Sequence, residues 1–407
     1  MNKEAARTPA ALVAIDWADQ KHDIALVPKG ASRPEILQLP HRPQELANWI
    51  AELRKRFGGQ KVAVALEQKR GALIHALMAY EFLELYPVNP TTLANLRKAF
   101  KHSGAKSDVL DRDLLLELLQ KHRDRLSCWQ PDDEQTRHLD LLVQDRRAAV
   151  NECTRLGEQL RAALKQYFPA MIDLVTDLTT RLACDLILKW PDFASLKGAK
   201  SQTLRSFFYA HNFRRSDILE QRLAALRTAA PLCSDAAIVG AGRLKAMRLA
   251  RAILTLLPAI KQYDKEIAAL FKTHPDAFIF DGLPGAGPVL APRVLTAFGS
   301  RRNRWRHSLD LATFSGIAAV IERSGKRSVV HWRWACPKFV RQSLHEFAGS
   351  SVRFCPWAKR FYQTQLSRGK DHHIAVRALA FKWIRILFRC WQDRCPYDPL
   401  KYAPANL

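Results

Sequence analysis

Over the first 120 residues, short apolar runs alternate with amphipathic stretches. Ala11–Asp16 is apolar until its last position, and Asp23–Pro28 follows after a polar turn, so the two predict a hairpin. Glu35–Leu39 predicts a third strand. Pro43–Phe57 has helical spacing, with Leu46, Trp49, Ile50 and Leu53 on one face. Lys61–Glu67 reads as a buried strand that again closes on an acid. Gly71–Tyr80 reads as helix, and Leu83–Asn89 as a strand stopped at Asn89-Pro90. Further helix follows, with Leu110, Leu114, Leu115, Leu118 and Leu119 sharing a face. The order β-β-β-α-β-α-β-α predicts a mixed sheet flanked by helices, an α/β domain over 1–125.

The pattern then becomes helical. Leu139, Leu142, Ala149, Cys153, Leu156, Leu160 and Leu164 form one stripe, ending before Pro169. Ile253, Leu256, Ile260, Ile267 and Leu270 form another, which Pro258 is expected to interrupt. Between them 171–235 reads as short helices broken at Pro191 and Pro231. A middle region over 126–275 can pair its long helices as a coiled coil, within or between chains, or form an ordinary helical domain. A mainly helical domain follows over 276–407. In it Leu283-Pro284-Gly285-Ala286-Gly287-Pro288 precedes an apolar helix, Val289–Phe298, in the manner of a helix-hairpin-helix module. Gly285 and Gly287 can present amides to a phosphate at that helix start, or simply form a turn. Leu309–Ala319 reads as helix with a break at Gly316.

Charge changes the picture. The 407 residues carry 64 Lys+Arg against 39 Asp+Glu, a formal net charge of +25. From Arg301 to Leu407 there are 21 basic and 6 acidic residues, an excess of 15. Aromatics interleave with them: Trp305, Trp332, Trp334, Phe339, Phe354, Trp357, Phe361 and Tyr362. Cations for backbone and rings for bases suit nucleic acid. The first residues lack an apolar signal core, and no uncharged run is long enough to span a membrane. The eight cysteines form no Cys-x-x-Cys pair, so reduced thiols in a cytoplasm are expected rather than a zinc site.

Two groups of residues carry candidate chemistry. Asp16 and Glu67 end strands, where sites form at a sheet rim. Asp108 and Asp111 lie three apart at a helix start, hence on one face. Converging carboxylates repel unless neutralised, and Mg²⁺ or Mn²⁺ does this with oxygen ligands. Two such ions about 4 Å apart clamp the attacking and leaving oxygens of a phosphodiester. The same acids also fit plainer roles. Asp108 can cap a helix, Asp111 and Asp113 can favour its dipole, and Glu67 can pair with Lys69 or Arg70. The second group is Glu322-Arg323-Ser324-Gly325-Lys326-Arg327. Its serine is a nucleophile only if cations or a metal stabilise the charge that develops; otherwise Ser-Gly before basic residues is a hairpin turn over phosphate.

These motifs together resemble the IS110 family of transposases, over nearly the whole chain. The resemblance rests on Ala14-Ile15-Asp16, Glu67, Asn89-Pro90, and Lys106-Ser107-Asp108-Val109-Leu110-Asp111. Further along it rests on the Pro-Gly-x-Gly turn at 284–287, Gly316-Ile317-Ala318-Ala319, and Ser324-Gly325. It implies a RuvC-like, RNase H-like first domain in which Asp16, Glu67, Asp108 and Asp111 are a DEDD quartet holding Mg²⁺ or Mn²⁺. It implies that Ser324 attacks DNA and forms a covalent phosphoserine intermediate, with no need for ATP. It also implies donor and target DNA as partners and a noncoding bridge RNA that pairs with both. A homo-oligomer, dimer or tetramer, is implied as well, with the acids of one protomer facing the serine of another, in a cytoplasmic, nucleoid-associated protein. Arg323, Lys326 and Arg327 are candidate phosphate contacts. The chain departs from the family in places. Gln68-Lys69-Arg70-Gly71 stands where Ala/Pro-Thr-Gly is common, Arg112-Asp113 follows Asp111, and Ala319 replaces a common Pro. Ser328 is a second hydroxyl, without a following glycine. A metal-dependent junction nuclease that uses water, and a non-catalytic nucleic-acid-binding protein, are the alternatives.

Overall fold

A computed structural model describes residues 8–67, 71–100, 108–325 and 327–402, the side chains of Asp108 and Tyr402 excepted. The chain forms two compact units, Met1–Pro131 and Asp132–Leu407.

The first unit runs β1 (Ala11–Asp16), β2 (Lys21–Pro28), β3 (Glu35–Pro40), α1 (Pro43–Arg56), β4 (Val62–Leu66), α2 (Ala72–Leu77), β5 (Leu83–Pro87), α3 (Pro90–Phe100) and α4 (Asp108–His122). This is the order the apolar pattern predicts. The strands form one sheet, β3-β2-β1-β4-β5. β1 pairs antiparallel with β2, and β2 with β3, whereas β1, β4 and β5 run parallel. Side chains alternate between two apolar layers. Val13, Ile15, Val64 and Leu66 pack with α1 and α2 residues such as Ile50 and Leu73. Ala14, Ala25, Ala63 and Ala65 pack with Leu93 of α3 and Leu114, Leu115 and Leu118 of α4. The small alanines let α4 lie close across β1, β2 and β4.

The second unit is helical apart from one hairpin. Its long helices are α5 (Glu134–Tyr167) and α11 (Ala236–Thr273). Between them lie α6 (Ala170–Leu174), α7 (Arg181–Lys189), α8 (Phe193–Lys197), α9 (Ser201–Ala210) and α10 (Ser216–Thr228). The long helices pack against each other within the chain. Gln135 bonds to Thr273, Arg146 pairs with Asp264 at 2.5 Å, and Gly242 meets Tyr167, so they run antiparallel. The expected interruption at Pro258 does not occur: α11 continues through it. The packing of Leu249, Ile253 and Ile267 on both sides outweighs the one backbone hydrogen bond that proline removes.

Beyond α11 come α12 (Ala277–Phe280), α13 (Gly287–Phe298), α14 (Ser308–Phe314), β6 (Val320–Ser324), β7 (Arg327–His331), α15 (Lys338–Phe354), α16 (Pro356–Ser367) and α17 (His372–Gln392). Phe298, Phe347, Trp383 and Trp391 are buried in a core shared by α13, α15 and α17. The helix expected over Leu309–Ala319 ends earlier, at Phe314; Gly316, with φ 73°, lies in the turn after α14, and 317–319 are not helical.

Candidate active-site residues

Parallel pairing sets the first pair of acids. Ile15 lies opposite Leu66, so Asp16 and Glu67 follow at adjacent strand ends. Each stands two residues beyond an alanine of the α4-facing layer, Ala14 or Ala65, which puts both on that side of the sheet. Both are half-buried. Asp111 projects from α4, which packs on this same side, and is 1% exposed. Its Oδ1 accepts two N–H bonds from Arg97 of α3, one from Nε at 2.8 Å and one from Nη2. Its Oδ2 is buried and has no hydrogen-bond partner. Asp108 begins α4 one turn before Asp111. Its side chain lies outside the described residues, as do Gln68, Lys69, Arg70, Lys106 and Ser107.

Asp113 is set apart from the others. Its carboxylate is about half exposed and accepts two bonds from Arg112, at 2.9 and 2.7 Å. An acid not singled out in the sequence also reaches this rim. Asp23 lies directly across from Asp16 in the β1–β2 ladder, and Gln38 of β3 donates to it at 2.9 Å. Reading the hairpin register from the two flanking apolar runs finds this neighbour. The loop after Asp16 is fixed by a histidine pair. His22 is 1% exposed; its Nδ1 accepts from the Ala18 amide at 3.3 Å, so its Nε2 carries the proton and donates to His41 at 3.0 Å. Burial, and after it the neighbouring His41, bring the His22 pKa down to about 4.

Among the described residues no three His, Cys, Asp or Glu side chains are gathered closely enough to hold a metal ion. What does fit an ion is the chemistry of the donors: oxygen ligands at adjacent strand ends, and a buried carboxylate oxygen left bare.

Ser324 ends β6 and pairs with Arg327 at the start of β7. The intervening Gly325 has φ 57°, the left-handed conformation that a two-residue hairpin loop requires and that glycine adopts freely. Lys326, the other loop residue, lies outside the described residues. Cross-strand partners share a face, so Ser324 stands with Arg327, while Arg323 stands with Ser328 on the other. Among the described residues, Arg327 is therefore the cation paired with Ser324, and the two serines point to opposite faces. Ser324, Arg323, Arg327 and Ser328 are all exposed. The hairpin is anchored just beyond β7. Two guanidiniums pack on the Trp332 ring, Arg377 at 4.3 Å and Arg341 at 5.2 Å from its centre, and Arg341 also donates to the Arg333 carbonyl at 3.2 Å.

The two glycines before α13 differ. A side chain at Gly285 would lie 2.9 Å from the Ser350 backbone and from Phe354, and the Gly285 carbonyl accepts from Ser350 Oγ at 2.7 Å. Gly285 thus has a packing reason of its own. Gly287 has φ 55° and open space around it. Of the eight aromatics in the basic region, Trp305 is buried and five are partly buried. Trp334 and Phe354 are exposed, by 78% and 64%, and are the most open of the eight rings.

With this geometry in hand, comparison with known proteins gives the class, a transposase. A transposase model specific to the DEDD proteins of IS110 matches residues 13–169. A second, "Transposase IS116/IS110/IS902 family", matches 278–363. Both models describe one family and together they match more than half the chain; the chain belongs to the IS110 family of transposases. Among its relatives is the "Mini-circle putative transposase for IS117" of Streptomyces coelicolor, 24% identical over 96% of each chain. The "Insertion element IS900 uncharacterized 42 kDa protein" of Mycobacterium paratuberculosis is 24% identical over 96% of this chain and 98% of its own. The "Insertion element IS110 uncharacterized 43.6 kDa protein" of Streptomyces coelicolor is 24% identical over 91% of each. No described helix is long and apolar enough to cross a membrane.

Proposed function

We propose that this transposase cuts and rejoins DNA through Ser324, helped by divalent metal held by Asp16, Glu67, Asp108 and Asp111. The observation that carries the reading is the placement of Ser324. It is exposed at the tip of an anchored hairpin, on one face with Arg327 and away from the other serine. A nucleophile for DNA must reach a phosphate that stays on a bulky duplex, and a protruding hairpin allows this. Arg327 supplies a cation where charge develops on the phosphoryl oxygens.

In the proposed step Ser324 Oγ attacks the scissile phosphorus and loses its proton. An Oγ–P bond forms and the P–O bond to the departing deoxyribose breaks, the departing oxygen taking up a proton. A phosphodiester is exchanged for a phosphodiester, so a hydroxyl of another strand reverses the step without ATP. Bound metal would supply charge neutralisation at the phosphate. Asp16 and Glu67, fixed at adjacent strand ends, would hold it, with Asp111 and Asp108 from α4. The basic C-terminal region would grip the DNA backbone, and Trp334 would stack on an unpaired base. Sequence choice would come from a bridge RNA pairing with donor and target DNA, the protein contacting backbone. Assembly as a dimer or tetramer, and the RuvC-like ancestry of the first unit, belong to the same reading.

The test is trapping of a protein–DNA adduct that survives denaturation. Wild type forms it and Ser324→Ala does not. Cleavage by Ser324→Ala at near wild-type rate, with no adduct in either protein, would replace this reading with a metal nuclease that uses water.

A further inference from the structure

An ordinary arginine–carboxylate pair uses both oxygens, one for each N–H of the fork. Arg97 and Asp111 do not pair in that way. Nε and Nη2 of Arg97 both donate to Oδ1. Oδ2 is left buried and bare. Leaving a buried charged acceptor unsatisfied is costly. The side chain cannot escape this by turning to water, because Asp111 is 1% exposed and Arg97 is only 15% exposed. The arrangement holds one oxygen fast and presents the other. Arg97 stands on α3, fourteen residues before Asp111. α3 and α4 both pack in the layer that lies under Asp16 and Glu67.

We propose that Arg97 is a positioning residue for metal binding: it fixes Asp111 through Oδ1 so that Oδ2 is offered to a divalent cation. The proposal rests on the metal reading of the acids given above. Metal-ligating carboxylates are commonly held by hydrogen bonds to their other atoms, and loss of such a partner lowers metal affinity roughly 10–100-fold. Arg97 also removes part of the repulsion among the acids. It does so without occupying the oxygen a cation would need.

Binding of MnCl₂ to the full-length protein without nucleic acid, followed by the loss of the free Mn²⁺ electron-spin signal, tests this. Wild type is expected to bind, and Asp16→Asn and Asp111→Asn to bind far more weakly. Arg97→Gln is expected to bind about 10–100-fold more weakly than wild type. Arg97→Lys keeps the charge but not the fork and should fall between, which retains a readout if Arg97→Gln does not fold. An Arg97→Gln protein that binds Mn²⁺ as wild type does, or more tightly, overturns the proposal; tighter binding would mean that the guanidinium competes with the ion. If Asp16→Asn loses binding while both Arg97 variants keep it, the positioning role fails and the metal reading survives. A wild type that takes up no Mn²⁺ overturns both.

Discussion

Asp16 and Glu67 close two parallel strands whose preceding residues, Ile15 and Leu66, are wholly buried, and Asp111 is buried on the sheet-facing side of α4. Ser324 closes a two-stranded hairpin on which only Val320 and Val329 are partly covered. The contrast follows from what each group would do. Ligands for a metal must hold positions to within about 0.5 Å, which a packed sheet rim provides. A nucleophile that takes hold of DNA must stand clear of its own protein. The hairpin compensates for its exposure at its base, where Arg341 and Arg377 pack on Trp332.

Breaking the rim should have the largest effect. Asp16→Asn or Glu67→Gln is expected to lower strand cleavage at least ~100-fold while leaving DNA retention in a gel within about twofold, because the cations that hold the backbone are untouched. Cleavage near the wild-type rate would remove the acids from the chemistry.

Next come the glycines before α13. Gly285→Ala meets both a positive φ and a backbone contact at 2.9 Å, so a loss of roughly 2–4 kcal/mol in urea unfolding is expected. Gly287→Ala has the strain but open space, and should lose only about 1 kcal/mol. If Gly285→Ala weakens DNA binding without moving the unfolding midpoint, the packing explanation is wrong.

His22 sharpens the account of the rim. Its folded pKa, about 4, lies below the usual 6.5, because burial disfavours the charged ring. Between those values the unfolded chain binds more protons, so the neutral ring's contribution is complete above pH 6.5 and is lost as pH falls toward 4. The amount is at most about 3 kcal/mol. Unfolding midpoints should drop less across that window in His22→Gln than in wild type. Equal drops would mean that His22 does not titrate as its burial implies.

The smallest effect belongs to a single ring. Trp334→Ala should weaken binding of single-stranded DNA by about 1–3 kcal/mol and that of duplex much less. Equal losses on both would point to a backbone contact instead.

Much of this was legible in the sequence where local pattern decides structure. Apolar runs ending in Asp16 and Glu67 marked two strand ends, and Ser-Gly before basic residues offered a hairpin turn; that the two strands are parallel neighbours, and that β6 and β7 flank the turn, was not legible. What was hidden depends on contacts between distant positions. Nothing in the spacing of Arg97 and Asp111 says that α3 and α4 bring them together. Pro258 breaks a helix by local rules, yet helix pairing overrides them. The eight aromatics look alike in sequence; only packing shows that Trp305 is core and Trp334 is free.

The most direct measurement compares the two serines of the β6–β7 hairpin, Ser324 and Ser328, which stand on opposite faces. Wild type, Ser324→Ala and Ser328→Ala would each be incubated with DNA bearing the element's ends and Mg²⁺, then denatured and examined for a DNA-linked protein band. The account predicts the band in wild type and Ser328→Ala and none in Ser324→Ala. A band that persists in Ser324→Ala, or that vanishes only in Ser328→Ala, would contradict it.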